Sequence, residues 1–275
     1  MPSAGPTTPH VWKQEHTGSM TTRNHYASGE PCWADLQTRD VAAAKDFYQR
    51  VFGWTYKDLP TPDGRSYSQA FVKDQLVAVI APQNPLQEAA GTHGQWNIYL
   101  AATDTEEVAE DAAHAGGKLQ FGPEAVADTG VLAFIEAAGG GTTGIWQAGT
   151  HLGSHLYNEP GALAWAELLT PEPQAAVGFL QQLFGYEVTE YPQDDGGSYS
   201  TLMVNGEEVA GVVPAGEGED AGWQVYFGVA DVREAADAAV AAGGELLVEP
   251  DARPETGSLA TIQDPQGGVL SLIQV

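Results

Sequence analysis

The sequence predicts an α+β protein built as a tandem repeat of two like domains, and three observations carry that reading. Trp33, Phe47, Phe52, Gly53, Tyr67 and Ser68 recur as Trp165, Phe179, Phe184, Gly185, Tyr199 and Ser200, 132 residues further on. Trp96, Tyr99, Asp104, Gly116, Gly117 and Pro123 recur as Trp223, Tyr226, Asp231, Gly243, Gly244 and Pro250, at an offset of 127. A fixed-period self-similarity of this kind sets the architecture before any local propensity does. Within each copy, the two-residue period of strands and the 3.6-residue period of helices follow one another in the same order. The second copy is five residues shorter, and the loss falls between Pro214 and Trp223, where the first carries the longer loop QNPLQEAAGTHG.

The elements follow in order. Residues 1–30 read as a flexible N-terminal tail, with Pro2, Pro6 and Pro9, several Thr and Ser, and no apolar period. Residues 31–149 form the first unit, 150–160 a linker, and 161–275 the second unit. PCWADLQ alternates like a half-buried strand. DVAAAKDFYQRVFG spaces its apolar residues as a helix, with Asp40 as N-cap and Gly53 as stop. YSQAFVKDQLVAVIAP reads as two strands around a Lys73-Asp74 turn. WNIYLAATD is a further strand, and Asp104 opens a second helix through Ala115 that Gly116-Gly117 ends. Strands near 131–135 and 143–147 complete the unit. The second unit repeats the series, with Asn205-Gly206 turning a tighter hairpin. Each unit is strand, helix and strands, twice over.

Composition narrows the function. A chain of 275 residues fits two ordinary domains, and 43% hydrophobic content fills their cores. No run approaches the roughly 20 apolar residues of a membrane span, and no basic start precedes an apolar block as in a secretory signal. Cys32 is the sole cysteine, which excludes an internal disulfide and a cysteine-cluster metal site. These features point to the cytoplasm. Against 37 acids stand 11 Lys and Arg, a net charge of −26, so nucleic acid is a poor partner. Such a surface either solubilises the protein or draws cationic small molecules toward a cleft.

The phrases DFYQRVFGW, residues 46–54, and DPQGGVLSLIQ, residues 264–274, carry a family likeness. The chain resembles the vicinal oxygen chelate superfamily, which includes glyoxalase I, extradiol dioxygenases and bleomycin-resistance proteins, and is most similar to its tandem two-domain actinobacterial branch. The resemblance implies two glyoxalase-like domains, each made of two βαβββ modules whose curved sheets close a cup around a metal or ligand. In metal-bearing relatives His or Glu on three strands points into the cup. The matching positions here hold Trp33, Asn97 and Gly144 in the first unit and Trp165, Gln224 and Ser271 in the second. Ala137 also replaces the turn aspartate that the second unit keeps as Asp264. Indole, glycine and carboxamide do not hold a divalent metal of this family's kind, so neither metal nor other cofactor is expected. No flavin or nicotinamide glycine signature, phosphate loop or Ser-His-acid set is present. Of the seven histidines, His10, His16 and His25 lie in the tail, His93 in a loop, His114 on a helix, and His151 and His155 in the linker. They read as structural or solvent-facing, with His155 as the one able to reach a cup.

If Trp33 faces the cup, alternation puts Asp35 beside it. By the same rule Trp165 pairs with Glu167, Asn97 with Tyr99, Gln224 with Tyr226, Gly144 with Trp146, and Ser271 with Ile273. Each cup then offers an indole, a phenol, a carboxamide and a carboxylate, with Gly144 and Ser271 leaving room. The competing reading is a filled cup whose tryptophans are core. An open cup suits a flat, cationic aromatic: stacking contributes about 0.5–1.5 kcal/mol beyond area, and a lone buried carboxylate favours a bound ammonium. Two functions are open. One is metal-free drug binding, sequestering an antibiotic such as an anthracycline in resistance or in biosynthesis beside a tailoring enzyme. The other is a cofactor-independent cyclase, isomerase or hydroxylase-like enzyme on a polyketide, with Asp35 or Glu167 as general base.

Overall fold

The computed structural model describes residues 22–60, 64–193, 197–216, 221–253 and 257–275, except the side chains of 251–253 and 257. The first repeat contains β1 (Pro31–Thr38), α1 (Val41–Phe52), β2 (Thr55–Pro60), β3 (Ser66–Val72), β4 (Gln75–Pro82), α2 (Pro85–Ala90), β5 (Gln95–Ala101), α3 (Thr105–His114), β6 (Lys118–Val126), β7 (Gly130–Glu136) and β8 (Thr142–Ala148). The second contains β9 (Leu163–Thr170), α4 (Pro173–Phe184), β10 (Glu187–Pro192), β11 (Ser198–Val204), β12 (Glu207–Pro214), β13 (Gly222–Val229), α5 (Val232–Ala241), β14 (Glu245–Arg253), β15 (Gly257–Gln263) and β16 (Val269–Gln274). Each repeat forms one curved eight-stranded sheet, ordered β2-β3-β4-β1-β5-β8-β7-β6 and β10-β11-β12-β9-β13-β16-β15-β14. β1 pairs antiparallel with β5 at the centre, while β1 with β4 and β5 with β8 run parallel. That is two βαβββ modules per sheet, as expected.

Helix ends follow their local chemistry. Asp40 caps α1 through the Ala43 N–H, and Gly53 ends it at φ +70°, a conformation only glycine adopts freely. Asp104 and Asp231 cap α3 and α5 likewise. The expectations missed β2, β6, β10 and β14, which lie at the sheet edges, and the six-residue α2 inside the long loop. β2 (TYKDLP) and β6 (KLQFGPEAV) are mostly exposed and carry charge and proline. Edge strands tolerate such residues, and so they lack the alternation of paired ones.

The tail reading is corrected for residues 22–30. Thr22 bridges Leu156, and Tyr26 is buried with its hydroxyl donating to the Ser154 carbonyl at 2.8 Å. Residues 1–21, with His10 and His16, lie outside the described residues, as do 217–220, where the five-residue loss was expected. Among the described residues no helix is long and apolar enough to cross a membrane.

The helix-covered faces of the two sheets meet. One shared core joins Phe47, Tyr48 and Trp54 to Phe227, Val232 and Ala239, and a second joins Val108 and Ile135 to Phe179 and Leu180. The cup faces therefore look away from each other. One polar contact crosses this core: Tyr48 donates to the Asp264 carboxylate at 2.8 Å and accepts from Trp96 Nε1 at 3.0 Å. Asp264 also accepts from the N–H groups of Gln266 and Gly268. At the repeat-equivalent places stand Leu180 and Ala137, an apolar pair. Asp264→Ala strands buried donors and is expected to cost about 1–3 kcal/mol in urea unfolding. Combined with Tyr48→Phe, the cost should be less than the sum of the two single changes.

Candidate functional site

Strand alternation puts the predicted residues on the outer face of each sheet, and register brings them together. In the first domain Trp33 lies opposite Tyr99, and Asp35 opposite Asn97, with Tyr99 next to Gly144 and Ala101 next to Trp146. In the second, Trp165 lies opposite Tyr226, and Glu167 opposite Gln224, with Tyr226 next to Ser271. Trp33 and Trp165 are each only 4% exposed, so the indoles are walled in rather than open to solvent.

Asp35 is buried, accepting from Asn97 Nδ2 at 2.7 Å and from the Tyr99 hydroxyl at 3.0 Å. Burial raises its carboxyl from the ordinary 3.8 to about 6, and the two donors oppose that rise. Burial and the adjacent Asp35 charge push the Tyr99 phenol up, so it remains a donor.

The second cup solves the same problem differently. Glu167 accepts from Tyr199 at 2.9 Å and from Tyr226, while Trp165 Nε1 donates to the Tyr199 hydroxyl at 3.2 Å. Burial raises the Glu167 carboxyl, and these donors lower it in part. Gln224 does not reach the carboxylate; it donates to Ser271 Oγ at 3.2 Å. Among the described residues neither Asp35 nor Glu167 has a cationic partner.

Three expectations need correction. Gly144 does not leave room: a Cβ there would fall 2.4 Å from Tyr99 Cδ1, so the glycine seats the Tyr99 ring. Ser271 is likewise engaged, by Gln224 and by Thr261 Oγ1 at 2.9 Å. The linker histidine at the first cup is His151, not His155. Its ring stands 4.6 Å from Trp33 and 5.4 Å from Trp146, and burial first, then the neighbouring His155, lowers it to about 4.

Tyr199 was also missed, although the repeat pairs it with Tyr67 and so marks it. Its hydroxyl passes over Gly211, where a Cβ would lie 2.4 Å away; Val79 holds that place in the first cup.

The positions of the family's metal ligands hold indole, carboxamide, glycine and serine, and among the described residues no three His, Cys, Asp or Glu side chains converge. This donor set does not fit a divalent metal.

Two outcomes follow. Gly144→Ala displaces the Tyr99 ring and is expected to cost about 1–3 kcal/mol in urea unfolding. Because Asp35 titrates near 6 when folded, the native state holds more protons than the unfolded chain between pH 4 and 6. The stability that Asp35 confers is thus full below about pH 4 and lost as pH rises through 6. Subtracting the Asp35→Asn profile from wild type should leave a fall of roughly 2–3 kcal/mol across that window.

Comparison with known proteins agrees with this architecture. Residues 23–142 match the Glyoxalase/Bleomycin resistance protein/Dioxygenase superfamily, and residues 165–273 match a glyoxalase-like domain. The chain is 38% identical over 257 residues to "Putative glyoxylase CFP32" of Mycobacterium tuberculosis (strain CDC 1551 / Oshkosh), covering 93% of this chain and 98% of that protein. It is 29% identical over 265 residues to "Anthracycline biosynthesis protein DauV" of Streptomyces sp. (strain C5), covering 91% and 94%. Its fold is similar to that of the Mn(II)-bound glyoxalase from Novosphingobium aromaticivorans, with a TM-score of 0.64 at 14% identity over 90% of this chain and 82% of that one. With both halves matched and a relative aligned almost end to end, the chain belongs to the glyoxalase/bleomycin resistance protein/dioxygenase superfamily.

Proposed function

We propose that the protein is a metal-free binder of a small, planar, cationic aromatic natural product of anthracycline type, acting in antibiotic biosynthesis or resistance. The observation that carries this reading is a buried carboxylate, without a cationic partner among the described residues and set among aromatic rings, in both cups. An ammonium group entering such a site supplies the missing countercharge, and its flat chromophore gains stacking area. The net charge of −26 concentrates cations around the protein. The name of DauV, an anthracycline biosynthesis protein, supports an anthracycline context. The lone buried thiol is compatible with a cytoplasmic setting.

A second reading has one specific observation in its favour. A carboxyl titrating near 6 beside a phenol is poised for general-base catalysis on a polyketide, with Tyr99 polarising a carbonyl. Both Asp35 oxygens already accept a hydrogen bond, which favours holding over proton abstraction.

Titration with doxorubicin, a planar chromophore carrying an aminosugar, separates the two. The binding reading expects tryptophan quenching, recovery of unchanged ligand by mass spectrometry, and affinity that falls with added salt. Asp35→Asn and Glu167→Gln should weaken doxorubicin about 3- to 30-fold while sparing its uncharged aglycone. Conversion of the ligand, abolished by either substitution while binding persists, would instead establish the enzyme.

A further inference from the structure

The surface of Trp33 is claimed by a ring from outside its own sheet. His151 stands on Trp33 with ring centroids 4.6 Å apart at 87°, and 5.4 Å from Trp146 at 61°. An imidazole at this distance occupies space against the indole that a flat ligand would need for stacking.

The backbone that carries His151 is fixed on both sides. The Thr150 and His151 N–H groups donate to the Asp128 and Thr129 carbonyls at 2.9 and 3.1 Å, and those of Ser154 and His155 to Cys32 and Leu76 at 2.8 and 2.7 Å. Trp146 Nε1 holds the His151 carbonyl at 2.9 Å. Gly153, at φ +117°, lies so close to the Cys32 carbonyl that a Cβ would stand 2.4 Å from it. The main chain cannot swing away without breaking this stitching.

The side chain is held differently. It is half-buried, and among the described residues neither ring nitrogen makes a hydrogen bond. Ring packing alone keeps it in place, and rotation about its own torsions releases it. With its titration lowered to about 4, it is uncharged at neutral pH and turns into solvent without moving a charge.

We infer that His151 is a specificity gate on the first cup: it covers Trp33 in the empty protein, and a planar cation must turn it aside to stack there. What enters rests on the binding function proposed above; the gate itself does not. A gate of this kind admits ligands whose stacking on Trp33 outweighs the imidazole contact, and turns away small or non-planar cations.

The test uses full-length wild type, His151→Ala, Trp33→Phe and the double variant, with Trp33→Tyr as the substitute where Trp33→Phe does not fold. Without ligand, acrylamide quenching is measured, and the difference between proteins with and without Trp33 isolates that residue. His151→Ala is expected to raise quenching of Trp33 several-fold; no change overturns the gate. In doxorubicin titrations His151→Ala is expected to tighten binding about 2- to 10-fold, and the gain should vanish in the double variant. Weaker binding by His151→Ala would make the imidazole a wall of the site and overturn the gate. If quenching rises but doxorubicin binds none of the four, the gate stands and the proposed ligand class falls.

Discussion

On the outer face of each sheet a carboxylate is buried among aromatic rings, with no cation beside it among the described residues, and the construction of both cups follows from how that charge is tolerated. Removing a carboxylate from water costs several kcal/mol unless donors replace its hydration. The first domain uses the shorter Asp35 and reaches it with Asn97 and Tyr99. The second uses the longer Glu167, gripped by Tyr199 and Tyr226. Each arrangement relies on a glycine: Gly144 seats the Tyr99 ring, and Gly211 lets the Tyr199 hydroxyl pass. The donors compensate only in part, and both carboxyls stay raised. A superfamily scaffold suited to gathering donors around a metal here gathers donors around an acid.

The two domains are near copies, yet their differences fall at the points of contact as well as in the cups. Helices of both repeats share two cores, so the helix layer of each sheet is buried against the other repeat. Tyr48 and Asp264 make a polar bond across one core, while Leu180 and Ala137 pack in the other. A change on one side of the pseudo-symmetric pair is answered on the other, as a satisfied buried polar group requires. The segment between the domains is likewise structural, since it is bonded to the first sheet and places His151 on Trp33.

Much of this was legible from residue spacing. The offsets of 132 and 127 set the tandem architecture, and strand alternation put Trp33, Asp35, Asn97 and Tyr99 on one face. What the sequence could not convey depends on contacts between distant segments. Tyr26 and His151 lie in stretches without period, and only tertiary packing brings them to the first cup. Gly144 was misread because a glycine in a strand marks either free space or the seat of a neighbouring ring, and composition does not distinguish them. Gln224 bonds Ser271, and Tyr199 supplies Glu167 with the second donor that Asn97 gives Asp35. The edge strands were lost because an edge needs no alternation to form.

Proton release on binding probes the two buried carboxylates most directly. Calorimetry of an aminosugar anthracycline at pH 6, in buffers of differing ionisation enthalpy, counts the protons exchanged. A cation arriving beside a partly protonated Asp35 drives it to the carboxylate, so the account predicts net release that fades by pH 8 and is reduced by Asp35→Asn. Binding with no exchange of protons, or with uptake, would contradict it.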